Sequence, residues 1–141
     1  MRVNLELKEK EYEQLTDSEK KKQTRLCDSF LSNLFIVINQ THFNNEIMHC
    51  RVKWSDRIGS GKHCHKLSDF TIFEDKSFAP VIRLSKNFLL EKDIDKISQS
   101  LFYAMIHIWL WVKKKPWGHT KEFYEKTKDF NFGLIKEILT L

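Results

Sequence analysis

Cysteine, glycine and proline are all scarce in this chain of 141 residues. The three cysteines, Cys27, Cys50 and Cys64, are odd in number and far apart, with no C-x-x-C pair. That pattern argues against a disulfide framework and against a zinc ribbon, and it fits a reducing, intracellular compartment. Four glycines and two prolines leave no flexible linker, so a single domain over residues 16–141 is expected, preceded by an extension over 1–15. Long apolar runs are missing too. The most apolar stretch, Ile106 to Val112, is seven residues long and contains His107, too short for a membrane span. The first residues, Met1 to Glu6, have no apolar segment of the kind a secretory signal needs. What is present is ordinary for a folded protein: 41% apolar residues, 30% charged, and 24 Lys and Arg against 19 Asp and Glu. The resulting charge of +5 permits contact with nucleic acid without requiring it.

Hydrophobic spacing divides the chain. Thr16 and Glu19 have the separation of a capping box, and Leu26, Phe30, Leu34 and Ile38 follow at intervals of four, predicting an amphipathic helix that ends near Asn39. From Asn44 to Ser85 the pattern shortens. Ile47–Trp54, Phe70–Phe73 and Val81–Leu84 read as strands, with Gly59-Ser60-Gly61 turning between the first two. Their local connections suggest an antiparallel sheet. A second long helix is expected from Asp93 to Lys113, with Ile94, Ile97, Leu101, Met105, Ile108 and Val112 along one stripe and Ser100, Tyr103, His107 and Trp111 along another. Lys113, Lys114 and Lys115 suit the negative end of its dipole, and Pro116 stops it. Thr120 can cap a short C-terminal helix bearing Phe123, Tyr124 and Thr127. The sum is an α+β domain: N-terminal helix, three-stranded antiparallel sheet, long helix and short helix.

Five segments in this order resemble the SprT-like family of zincin-fold metalloproteases, which includes Spartan-type enzymes. Phe43-Asn44-Asn45-Glu46 approaches the first strand as that family does, and Trp54-Ser55-Asp56-Arg57 with the later Cys64 resembles its W-S-x-R segment. Ile82-Arg83-Leu84-Ser85 is similar to its I-x-L-S strand, Leu101 to Val112 to its active-site helix, and Gly118-His119-Thr120 with Phe123 to its G-H-G-x-x-F segment. Asn131 also falls where the family often has Asn. The resemblance runs from about residue 24 to 131 and implies a zinc protease acting on proteins crosslinked to DNA.

Such a site grips zinc with two histidines at i and i+4, a third donor from a later segment, and a glutamate beside the first histidine to take a proton from water. Here the five residues are Tyr103-Ala104-Met105-Ile106-His107. His107 and the later His119 remain, while Tyr103 replaces the first ligand and Ala104 the general base. Alanine accepts no proton, and loss of a general base costs a factor of about a hundred to ten thousand. A tyrosine ligates zinc only as phenolate, and no Asp or Glu lies between Asp95 and Glu122 to substitute for the base. His107 and His119 are thus expected to mark a vestigial metal site with no catalytic residue and no cofactor, zinc being the metal to seek if the site still works.

The expected function is therefore a degenerate metalloprotease-fold module linked to DNA–protein crosslink repair, in the nucleus, monomeric, with DNA or chromatin proteins as partners. The alternative is a divergent active zinc protease, and a protein-interaction domain without any DNA link is a third reading. Lys113, Lys114 and Lys115, with Arg57 and Lys62 from the hairpin, are the candidate nucleic-acid contacts. His63, Cys64 and His65, with His49 before them, read as a surface hairpin rather than a second metal site. Trp109 and Trp111 fall inside the apolar helix and read as packing residues, leaving Trp117 as the tryptophan with a claim to an exposed role.

Overall fold

The computed structural model describes residues 17–56, 58, 68–73, 77–86, 88 and 94–139, with side chains in the first helix from residue 29 onward. The elements are α1 (Asp17–His42), β1 (Arg51–Ser55), β2 (Ser68–Thr71), β3 (Val81–Ser85), α2 (Ile94–Val112), α3 (Lys121–Thr127) and α4 (Phe132–Leu139). The α+β class agrees with the sequence. Three expectations lie outside the described residues: the extension over 1–15, the Thr16 cap, and the hairpin carrying Arg57, Lys62, His63, Cys64 and His65.

The sheet corrects the expected strand directions. Its order is β1-β3-β2, with β2 antiparallel to β3 but β1 parallel to it. Local connection misled because β2 pairs with its successor and not with its predecessor. The chain leaving β1 crosses to the far edge, forms β2 there, and returns through β3 in the centre. β3 is accordingly the most buried strand, with Val81, Ile82, Leu84 and Ser85 all inside. β1 also begins four residues later than the apolar run at Ile47 suggests. Ile47 is instead pinned by the buried Asn39 side chain, whose Nδ2 donates to the Ile47 carbonyl at 2.8 Å and whose Oδ1 accepts the Ile47 amide at 3.3 Å. Satisfying both backbone groups from a side chain leaves that residue nothing to offer a strand ladder.

The register decides which side chains share a face. Lys53, Arg83 and Asp69 lie in one row across the three strands, and Arg83 Nε donates to Asp69 Oδ1 at 2.6 Å. Val52, Ile82 and Phe70 form the next row, turned to the other face by the two-residue period of a strand. Against that inner face lies α2, whose Ile97, Leu101, Met105 and Ile108 are fully buried as the stripe predicts. Leu34 and Ile38 of α1 and Ile82 and Leu84 of β3 complete the core.

α2 does not wait for Pro116 to end. Lys114 adopts φ 59°, its amide donates to Trp111 O at 2.9 Å, and the Lys115 amide donates to Leu110 O at 3.0 Å. This is a Schellman closure, in which one left-handed residue satisfies the last helical carbonyls. The C-terminal part forms two short helices where one was expected, divided at residues 128–131, with Asn131 Oδ1 accepting the Leu134 amide at 3.3 Å.

Candidate functional site

The turn after α2 brings the chain back over the face of that helix and opens a cleft of about 700 Å³ between β2, α2 and α3. Thr120 fixes the return. Its extended backbone (φ −82°, ψ 174°) starts α3, and its hydroxyl accepts the Phe123 amide at 3.3 Å. Tyr103, Ala104 and His107 of α2, and His119 before α3, line the same cleft. Tyr103 and His107 stand one turn apart on one helical face, a spacing of about 6 Å.

His107 is nearly buried, with its imidazole stacked between two phenyl rings. The centroid of Phe123 lies 4.5 Å away and that of Phe70 4.8 Å away, at interplanar angles of 22° and 24°. Its Nδ1 donates to the Trp117 carbonyl at 2.5 Å, which fixes the tautomer and leaves Nε2 as the acceptor. Burial lowers the pKa of His107, the Trp117 hydrogen bond opposes that shift, and the neighbouring His119 adds to it. The His119 ring sits 5.1 Å from that of His107, so the two histidines read from sequence do meet.

Whether these residues fit a catalytic zinc depends on the donors. A carbonyl on Nδ1 and a lone pair on Nε2 is the arrangement of a metal-ligating histidine. The remainder of the set fails. The Tyr103 hydroxyl accepts a hydrogen bond from Gln99 Nε2 at 2.8 Å, and Ala104 carries no functional group. Among the described residues no cluster of three His, Cys, Asp or Glu side chains could hold a metal ion. Two imidazoles fall short of the three protein donors of a catalytic zinc site, so the described residues do not fit one. Cys50 lies outside the cleft lining, and burial pushes its thiol up to about 12.

One carboxylate escaped the sequence reading. Asp69 lines the cleft from β2, but its Oδ1 is held by Arg83. Nothing local marks it, because its neighbourhood depends on strand order.

None of Lys113, Lys114 and Lys115 lines the cleft. Lys113 pairs with Glu46 at 3.1 Å and lies 4.2 Å over the Trp109 ring, and Lys115 pairs with Glu122 at 2.9 Å. Lys113, with the Trp109 indole N–H, holds the Glu46 carboxyl below the usual carboxylate range. Trp109 is half-buried against Phe43, in keeping with a packing role, whereas Trp117 is 44% exposed at the cleft.

The fold and cleft define an α+β domain, consistent with the zincin type, whose long helix sets Tyr103, Ala104 and His107 beside His119. The chain belongs to the SprT-like family, whose sequence model matches residues 31–134. It is also similar to the DNA-dependent metalloprotease dvc-1 of Caenorhabditis elegans, at 30% identity over 93 residues. That match covers 64% of this chain but only 24% of the relative, so the chain spans about a quarter of the relative's length. No helix among the described residues is long and apolar enough to cross a membrane.

Proposed function

We propose that this chain is a SprT-like domain without peptidase activity, serving as a binding or regulatory module in DNA–protein crosslink repair, with DNA or chromatin proteins as partners in the nucleus. The observation that carries the reading is Ala104 in the wall of the cleft, at the position where the family's helix would present its glutamate. Tyr103, engaged by Gln99, occupies the position of the first metal ligand. The family and the DNA-dependent relative support the link to DNA. Zinc analysis of the purified chain, combined with a casein-cleavage assay with and without DNA, tests it. No cleavage and no stoichiometric zinc are expected. Cleavage abolished both by chelator and by His107→Ala would overturn the reading.

A second reading has one observation in its favour. The Trp117 carbonyl holds His107 in the tautomer that a metal ligand needs, beside His119. On that reading Tyr103, His107 and His119 bind zinc in a divergent protease, and water is activated by a group outside the helix.

DNA binding on either reading is weak and electrostatic, through Lys113, Lys114 and Lys115 with Arg57 and Lys62. Each phosphate contact on duplex DNA contributes about 0.9 to the slope of log affinity against log salt, and only a few contacts are expected. Affinity unchanged in the triple alanine variant of Lys113, Lys114 and Lys115 removes that assignment.

A further inference from the structure

With its catalytic set gone, the cleft keeps an unusual lining. Its walls are Phe70 from β2, Tyr103 from α2, Trp117 and His119 from the connecting turn, and Phe123 and Tyr124 from α3. Several of these rings stand steeply to one another, as walls do, instead of forming one parallel stack. Phe123 meets Tyr124 at 83°, Phe70 meets Trp117 at 78°, and Tyr103 meets Phe123 at 61°. Trp117 and Tyr124 remain 44% and 56% exposed at the cleft, large rings left in contact with water. No lysine or arginine occurs among the described residues that line it. Among the described lining residues the one carboxylate, Asp69, already receives Arg83 at 2.6 Å.

We propose that this cleft is an aromatic cage for the quaternary ammonium of a methylated lysine side chain, presented by a partner protein. His107 covers one face of Phe70 and one of Phe123, so the exposed rings of Trp117 and Tyr124 are the ones whose electron-rich faces attract a cation. Among the described residues no lysine or arginine of the lining opposes that attraction. Asp69, turned by the strand period to the face opposite Phe70 and held there by Arg83, leaves a primary ammonium no free carboxylate to pair with. A primary ammonium brings three N–H donors and a tightly held hydration shell, and it would surrender both in a cleft whose carboxylate is already paired. A trimethylated ammonium has no N–H to satisfy, sheds water readily, and keeps the charge that the rings attract. The 700 Å³ of the cleft accommodates that head with the alkyl stem behind it. The proposal rests on the non-catalytic reading above.

Isothermal titration calorimetry on the whole chain tests it with three short peptides of Gly and Ser around one central residue. That residue is trimethyl-lysine, lysine, or the neutral isostere in which carbon replaces the ammonium nitrogen. The trimethylated peptide is expected to bind about tenfold tighter than the isostere and tighter than plain lysine. Trp117→Ala and Tyr124→Ala, both at exposed positions, are expected to abolish that preference without unfolding the protein. Equal affinity for the isostere would mean a merely apolar cleft, tighter binding of plain lysine an ionic one, and no binding no cage. Each of these overturns the proposal, as does retention of the preference in both variants. Mass spectrometry of the recovered peptide separates the two readings. A cleaved peptide refutes the non-catalytic premise, whereas an intact peptide with the wrong affinity order refutes the cage alone.

Discussion

Two buried histidines, His42 at the end of α1 and His107 on α2, are alike in burial and unlike in every bond they make. His42 is used at both nitrogens. Its Nδ1 is 2.7 Å from the Thr41 hydroxyl, and its Nε2 accepts the Asn131 amide at 3.0 Å. Its ring packs on Phe102 and Phe130, and its own carbonyl receives Lys126 Nζ at 2.6 Å. Among the described residues His107 is hydrogen-bonded at Nδ1 alone, by the Trp117 carbonyl, and its ring lines a cleft. The first is a cross-link holding the C-terminal helices to α1. The second is a side chain held in one orientation with an acceptor still available. A buried histidine therefore says little about function until the second nitrogen has been accounted for.

The largest expected effect tests the structural half of this contrast. His42→Ala leaves the Asn131 amide unpaired and opens a gap against Phe102, and a loss of about 3 kcal/mol in urea unfolding is expected. His107→Ala removes one hydrogen bond and the ring between Phe70 and Phe123, but beside a cleft that water can enter, and is expected to cost about 2 kcal/mol. Equal losses would erase the distinction.

Next in size is a gain at the other histidine. Tyr103→His with Ala104→Glu puts a third imidazole one turn from His107 and a carboxylate beside it. Zinc at a hundred times its dissociation constant is then expected to raise stability by about 2.7 kcal/mol, read as a thermal shift. A folded double variant that zinc stabilises no more than wild type means that His107 and His119 do not address one ion.

A smaller effect is expected where α2 turns toward the cleft. Lys114 pays the left-handed strain of φ 59° that glycine avoids, so Lys114→Gly is expected to stabilise the chain by about 1 kcal/mol by chemical denaturation.

The most gradual effect is in pH. Burial, then the charge of Lys126, lowers the pKa of His42 from 6.5, with Asp129 opposing. Between the lowered value and 6.5 the unfolded chain binds the proton that the folded chain refuses. Stability from this group is thus complete above 6.5 and is lost as the pH falls through 6.5 toward the lowered value. His42→Gln is expected to flatten that part of the stability-against-pH curve, and an unchanged slope would assign it to other groups.

The same contrast marks how far the sequence could be read. His107 and His119 were singled out through the resemblance to the family, whose helix and following turn both fall within one stretch of the chain. His42 was passed over because its partner, Asn131, is far away in sequence. Asp69 was missed for the same reason, its place in the cleft depending on pairing with β3. The lysines after α2 were visible as a charge run, but the carboxylates that pair with two of them, Glu46 and Glu122, belong to other segments.

What the sequence determined by itself is local. The apolar periods of α1 and α2 and the Thr120 cap follow from residues a few positions apart, where covalent geometry sets the spacing. Tertiary structure alone decided the parallel pairing of β1 with β3, the bidentate hold of Asn39 on Ile47, the sandwich of His107 between Phe70 and Phe123, and the steep ring walls of the cleft. Each joins segments that the chain separates. Which partner a strand edge or a ring face finds is set by the packing of the whole core, and no window of sequence contains that competition.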